Sequence, residues 1–184
     1  MRHFSLGLLL GLFILPIIGS IYIRSIRLPV AVADPPFPFE REIVRNPLHA
    51  RIDREMPSTP PMEGNATNLG AGAHIYRQQC ATCHGLNGPT SEFASHMFPD
   101  APQLWLPHDN GVVGVSDDPP GETYWKVANG IRLTGMPAFA KTLSTTQLWQ
   151  VSLLLANADK PLPREVVDLL KKPLDFDPVT PPTR

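Results

Sequence analysis

Residues 80–85, CATCHG, contain both cysteines of this 184-residue chain, Cys80 and Cys83. Residues three apart on a helix lie on the same face, so the two sulfurs can reach one common target. Two cysteines rule out a disulfide scaffold, an iron–sulfur cluster and a cysteine-only zinc site, because each of these needs more thiols. The role of the pair therefore depends on its neighbours, and the next residue is His84.

The spacing C-x-x-C-H has a specific chemical use. Both sulfurs can form thioethers with the two vinyl groups of one haem, which carries His84 beneath the iron as its proximal ligand. A thioredoxin-like redox pair would need flanking strands, and none is apparent in the sequence. A zinc site would need two further ligands, and the available His74, His96 and His108 match no familiar zinc spacing. The motif predicts one covalent haem c.

Around the motif, the sequence predicts an all-α domain over residues 69–159. A first helix covers residues 69–83 after a cap at Thr67 or Asn68, and a second covers residues 122–128. A third helix begins at the capping box of Ser144 and Gln147 and has a clear apolar face. The stretch between the first two helices is rich in proline and glycine and has no strand alternation. We expect this long loop to wrap a non-protein core.

The first 23 residues are predicted to be a membrane anchor. Residues 4–23 (FSLGLLLGLFILPIIGSIYI) carry no charge, and 20 residues match the roughly 30 Å hydrocarbon core of a bilayer. A cleaved signal peptide stays open as an alternative, because residues 31–33 (AVA) offer a small-residue cleavage pattern. Residues 24–68 are predicted to be a proline-rich linker, with no sustained helical period. Residues 160–184 are predicted to be a short helix and a proline-rich tail.

The charge pattern excludes one large class of partner. The formal net charge is −1, and lysines and arginines are scattered rather than clustered on one face. We therefore expect no nucleic acid to bind. Arginine counting around residues 4–23 weakly favours a cytoplasmic location for the downstream part.

Over residues 69–158 the sequence resembles the monohaem class I c-type cytochromes. The resemblance implies that Met136 ligates the iron opposite His84, with Met97 as a competitor for that position. It also implies that Arg132 is a candidate contact for the haem propionates. An equally weighted interpretation is that Arg132 is a solvated cation in a loop. The matching segments are residues 72–76 (GAHIY), 80–85 (CATCHG), 129–139 (NGIRLTGMPAF) and 148–149 (LW).

The same resemblance predicts how the terminal helices pack. Gly72 and Tyr76 resemble the residues of the family's first helix that cross its last helix. Trp149 matches the packing aromatic of that last helix. Leu154 stands where many relatives carry a second aromatic, so we expect this crossing to be packed differently.

The resemblance implies a one-electron carrier rather than an enzyme. Histidine and methionine together leave no open position on the iron. We expect a single-pass protein of the bacterial cytoplasmic membrane with its haem domain on the periplasmic side, which overrides the arginine count. Its partners would be a quinol-oxidising complex, a dehydrogenase or a terminal oxidase. The alternatives are a haem subunit fixed to a larger membrane complex and a gas sensor or enzyme with a labile distal ligand.

Overall fold

The structure is a computed structural model that describes residues 2–25, 28–108 and 111–174. The chain divides into two compact units, Met1–Val44 and Arg45–Arg184. The described residues form seven α-helices and one 3₁₀ turn, Phe93–His96, and they contain no strand beyond an isolated bridge between Pro107 and Val113. The predicted all-α fold is confirmed. The helices are α1 (Arg2–Ser25), α2 (Glu40–Glu55), α3 (Ala66–Gln79), α4 (Ala81–His84), α5 (Pro120–Asn129), α6 (Thr145–Leu155) and α7 (Arg164–Lys171).

α1 contains the apolar run of the N-terminus. Its described side chains are exposed, among them Phe13 at 66% and Leu15 at 71%. In the part of the chain that the structure describes, no helix has the length and apolar character that crossing a membrane requires. The structure therefore does not support the predicted transmembrane helix over residues 4–23.

α2 lies within residues 24–68, where the sequence predicts a linker and no helix. Only Ile52 is buried in it, so it has no apolar period to detect. Its last turn contacts α5, where the Trp125 indole N–H donates to Glu55 at 3.0 Å. This bond and the neighbouring Arg51 hold the pKa of Glu55 below its ordinary value. The segment after α2 also lies on α5, since a Cβ added at Gly121 would come within 1.9 Å of the Pro57 carbonyl oxygen.

The first helix of the haem-motif region differs from its predicted form in two ways. It begins earlier, with Asn65 as its cap, because the Asn65 side chain accepts the Asn68 N–H. It is also interrupted at Cys80, whose φ of −116° departs from the helical value near −63°, and α4 starts again after it. The capping box of Ser144 and Gln147 is confirmed at the start of α6.

α3 and α6 cross at very close range. A Cβ added at Gly72 would lie 2.3 Å from the Gln150 carbonyl oxygen and 3.2 Å from the Leu154 Cβ. Only glycine permits this approach, which confirms the predicted role of Gly72. Leu154 itself has no exposed surface, so a leucine fills the place of the family's second aromatic.

Aromatic packing joins α5 to α6, and a guanidinium joins α3 to α7. Trp149 of α6 stacks on Tyr124 of α5 with ring centroids 4.4 Å apart. Arg77 of α3 donates to the Leu169 carbonyl at 2.8 Å and to the Pro173 carbonyl at 3.1 Å, beside a further contact with the Lys172 carbonyl. These bonds fix the C-terminal end of α7 to α3.

Gly72→Ala tests the α3–α6 crossing. The added methyl group meets a backbone carbonyl that cannot rotate away, so we expect a loss of about 3 kcal/mol in the free energy of unfolding. The measurement is urea unfolding of the haem-loaded protein. Gly70→Ala on the same helix is the matched control, because a Cβ there meets nothing within 4 Å. It should raise stability by up to about 1 kcal/mol. Equal effects from the two changes would contradict the crossing.

Candidate haem site

The two cysteines lie at the junction of α3 and α4. Cys80 ends α3 and caps α4, while Cys83 lies within α4. Both are half-buried and neither forms a disulfide. Burial, helped by the nearby Cys83, raises the pKa of the Cys80 thiol to about 12. A thiol that stays protonated at neutral pH is a poor redox nucleophile, which argues against the thioredoxin-like alternative.

His84 is the last residue of α4, and its ring is held by one hydrogen bond. Its Nδ1 lies 2.8 Å from the Pro102 carbonyl oxygen. A carbonyl only accepts, so Nδ1 carries the proton and Nε2 keeps its lone pair for a metal. Burial lowers the pKa of His84, with a smaller opposing effect of the Pro102 bond. The neutral ring is the form that binds a metal.

Tyr76 of α3 is hydrogen-bonded to the end of the motif. Its hydroxyl donates to the Gly85 carbonyl at 2.8 Å and lies 3.2 Å from the His84 carbonyl oxygen. The ring meets Trp105 edge-on, with centroids 5.7 Å apart. Burial raises the pKa of Tyr76 far above its ordinary value, so the hydroxyl stays a donor. Tyr76 therefore contacts the motif itself, a role that its predicted place at the α3–α6 crossing did not include.

Gln103 also bonds to the motif, and sequence reasoning missed this contact. Its amide donates to the Cys83 carbonyl at 3.1 Å and accepts the Ser91 N–H at 2.7 Å. A Cβ added at Gly85, whose φ is +72°, would lie 2.5 Å from the Gln103 Oε1. Gly85 therefore serves both the turn and the close approach of this amide. A glutamine in an irregular loop has no periodicity or spacing that could have revealed the contact.

Met136 lies in a loop that folds back on itself after α5. Its N–H donates to Thr134 Oγ1 at 3.1 Å, and its carbonyl accepts the Ile131 N–H at 3.3 Å. The side chain is partly buried and packs against the core. The loop ends where the Phe139 N–H donates to the Val127 carbonyl at 3.0 Å, which ties it to α5. We call residues 130–138 the distal loop.

The other predicted site residues lie apart from these contacts. Arg132 is exposed in the distal loop, and its side chain has no hydrogen bond or ion pair with any residue that the structure describes. His74, His96 and His108 are exposed as well. Among the described residues, no group of three or more histidines, cysteines and acids is arranged to hold a metal ion.

The residues present fit a covalent haem. Two half-buried thiols stand beside an imidazole with a free Nε2, and the half-buried thioether of Met136 is available from the distal loop. In addition, Trp105 Nε1 is buried without a hydrogen-bond partner, as is Thr123 Oγ1. The Tyr76 hydroxyl is the polar group beside this indole, and an N–H that makes no full hydrogen bond with it is open to a further acceptor. A haem propionate supplies such an acceptor.

Comparison with known families decides the class. Residues 67–153 match the family model described as cytochrome C oxidase, cbb3-type, subunit III. The match supports a monohaem class I c-type cytochrome domain over these residues. The match begins in α3 and ends in α6, so it contains the motif, the distal loop and the α3–α6 crossing. Neither the curated proteins nor the solved structures contain a significant match to the chain.

This cytochrome domain binds one haem c covalently and serves haem-based electron transfer. The resemblance inferred from the sequence is therefore confirmed at the level of the family.

Proposed function

We propose that the protein is a one-electron carrier in which Cys80 and Cys83 attach the haem and His84 and Met136 ligate it. The observation that carries this proposal is the His84 ring, whose Nδ1 bond to Pro102 leaves Nε2 as the free donor beside both thiols. When bound, the haem supplies an iron centre that gains and loses one electron reversibly, with its potential set by the axial ligands.

On the proximal side, the chain's role is to orient the imidazole. The carbonyl of Pro102 selects the Nδ1–H tautomer and limits rotation of the ring. Gln103, the next residue, donates to the Cys83 carbonyl, so one short segment fixes both the ring and the backbone that carries it. Residues that are held in place before and after electron transfer reduce the reorganisation that accompanies it.

On the distal side, the chain's role is to present a thioether. Pro137 biases Met136 towards an extended backbone, and Thr134 accepts the Met136 N–H at 3.1 Å. Because Thr134 Oγ1 also donates to the Ile131 carbonyl at 2.7 Å, its hydroxyl joins both arms of the distal loop. With a histidine and a methionine both supplied by the chain, no position is left for a substrate, which supports electron transfer rather than catalysis.

For the propionates, the structure favours Trp105 over the candidate from sequence. Trp105 Nε1 is buried and without a partner, so a carboxylate there would satisfy a donor that water cannot reach. Arg132 is exposed and its charge is already solvated, so binding a propionate would gain less. Arg132 stays in the proposal as a second contact from the solvent side.

We further propose that the chain is anchored to the bacterial cytoplasmic membrane by residues 4–23, with the haem domain on the periplasmic side. The support is the sequence, because these 20 residues carry no charge and are flanked by Arg2 and Arg24.

The proposed partners are a donor such as a quinol-oxidising complex or dehydrogenase and an acceptor such as a terminal oxidase. A second candidate function is a haem subunit fixed to a larger respiratory complex. The description of the matched family, which names an oxidase subunit, favours that candidate. The contact of α2 with Trp125 also favours it, since a segment packed on α5 is a poor free tether.

Met136→Ala tests the ligation. In the oxidised wild-type protein we expect the weak sulfur-to-iron absorption band at about 695 nm that marks methionine ligation. Met136→Ala should abolish the band and let the ferrous protein bind carbon monoxide, because the sixth position opens. Met136→His should stay six-coordinate and lower the potential by on the order of 0.1 V, since imidazole favours the ferric state.

Met62→Ala is the control for this test, because Met62 is also a partly buried methionine that packs against the core. It should leave the band in place. Rapid binding of carbon monoxide by the wild-type ferrous protein would contradict electron transfer and favour the sensor or enzyme alternative.

Detergent extraction tests the anchor and separates the two candidate functions. A retained anchor predicts a mature protein that begins at or near Met1 and needs detergent for release, because an apolar segment of this length partitions into lipid. The measurement is N-terminal sequencing of the membrane and soluble fractions. A soluble protein that begins near Asp34 would contradict the anchor. Co-purification with other subunits at constant stoichiometry in mild detergent would favour the fixed subunit over the carrier.

A further inference from the structure

Met97 lies against the distal loop at the residue that precedes Met136. A Cβ added at Gly135 would come within 2.1 Å of the Met97 Cε and 3.8 Å of its Sδ. The end of the Met97 side chain therefore occupies the space that a side chain at position 135 would need. Met97 is half-buried, whereas Gly135 is exposed.

The other end of Met97 is fixed on the side of the haem motif. Met97 directly follows the 3₁₀ turn Phe93–His96, and its N–H donates to the Ala94 carbonyl at 3.3 Å. Ala94 is 7% exposed, and the turn packs against α4, which contains Cys83 and His84. Met97 thus connects the element that carries the proximal histidine with the loop that carries Met136.

The distal loop needs such support, because local preference does not hold its shape. Leu133 has a φ of +64°, a region that side chains other than glycine rarely adopt, and it is 81% exposed. The loop's own bonds join Ile131, Thr134 and Met136, and none of them involves Gly135. Packing by Met97 is the contact that the structure shows at this point of the loop.

We propose that Met97 is a positioning residue for the distal ligand. By filling the space beside Gly135, its side chain keeps the distal loop in the conformation that presents the Met136 thioether. Its sulfur is not needed for this role, since a methyl group at the end of an apolar side chain makes the contact. The inference rests on the proposed function, because it takes Met136 as the ligand.

The test compares Met97→Ala with Met97→Leu in the full-length, haem-loaded protein. The two readouts are the methionine-ligation band of the ferric protein and the dissociation constant of imidazole, which competes with the distal ligand. We expect Met97→Ala to weaken the band and tighten imidazole binding about tenfold, a change equal to about 1.4 kcal/mol. Met97→Leu should stay within about twofold of the wild type, because leucine restores most of the lost volume.

A pair of further variants addresses the contact with Gly135. Gly135→Ala alone should tighten imidazole binding, since its methyl group forces the Met97 methyl away. In the double variant Gly135→Ala/Met97→Ala, the new methyl group enters the vacated space, so the combined effect should be smaller than the sum. Met62→Ala is the control for the loss of a partly buried methionine and should leave imidazole binding unchanged. Urea unfolding of each variant shows whether the measurements are made on folded protein.

Two results would overturn the inference, and they differ from failure of the proposed function. If Met136→Ala abolishes the band but Met97→Ala changes neither readout, Met136 is the ligand and Met97 does not position it. If Met97→Leu abolishes the band as fully as Met97→Ala, the Met97 sulfur is itself the ligand and the assignment of Met136 is wrong. Retention of the band in Met136→Ala would likewise contradict the proposed function. Should Met97→Ala fail to fold, the Leu variant and Gly135→Ala decide the question.

Discussion

The backbone at the end of the CATCHG motif is bonded by two different parts of the chain, α3 and the loop segment at Gln103 and Leu104. Tyr76 of α3 donates to the Gly85 carbonyl, Gln103 donates to the Cys83 carbonyl, and the Leu104 N–H donates to the His84 carbonyl at 3.2 Å. These bonds fix the position of His84. They also explain why a long irregular loop is compatible with an ordered site, because the loop returns to the motif and closes around it.

The helix packing positions these contacts. Gly72 lets the α3 and α6 backbones approach closely, which fixes the position of α3 in the core. Tyr76 lies one turn further along the same helix, so this packing also positions its side chain. The distal side is attached to the same core through α5, where the Phe139 N–H bonds to Val127. The motif and the distal loop are therefore attached to α3 and α5, which both pack on α6, and Met97 adds a direct contact with the distal loop.

Much of this arrangement could be predicted from the sequence, where local chemistry decides the structure. The motif and the capping box of Ser144 and Gln147 each depend on a few residue types at fixed spacing, and the family resemblance implied the close approach at Gly72. α2 could not be predicted, because it buries Ile52 alone and is held by a contact with Trp125 that no pattern reveals. Gln103 was missed for the same reason, since its role depends on tertiary contacts of a loop without periodicity. The interruption of the first helix at Cys80 changes the backbone at one residue, and no residue type there signals it.

We propose that one haem is attached to this chain through Cys80 and Cys83. Mass spectrometry of the denatured, acid-acetone-extracted polypeptide tests this attachment, because non-covalent haem is removed by that treatment and thioether-bound haem is not. We expect a chain heavier by one haem, with the added mass on the peptide that contains residues 80–83 and neither thiol free to react with an alkylating reagent. A chain without haem, with both thiols open to alkylation, would contradict it.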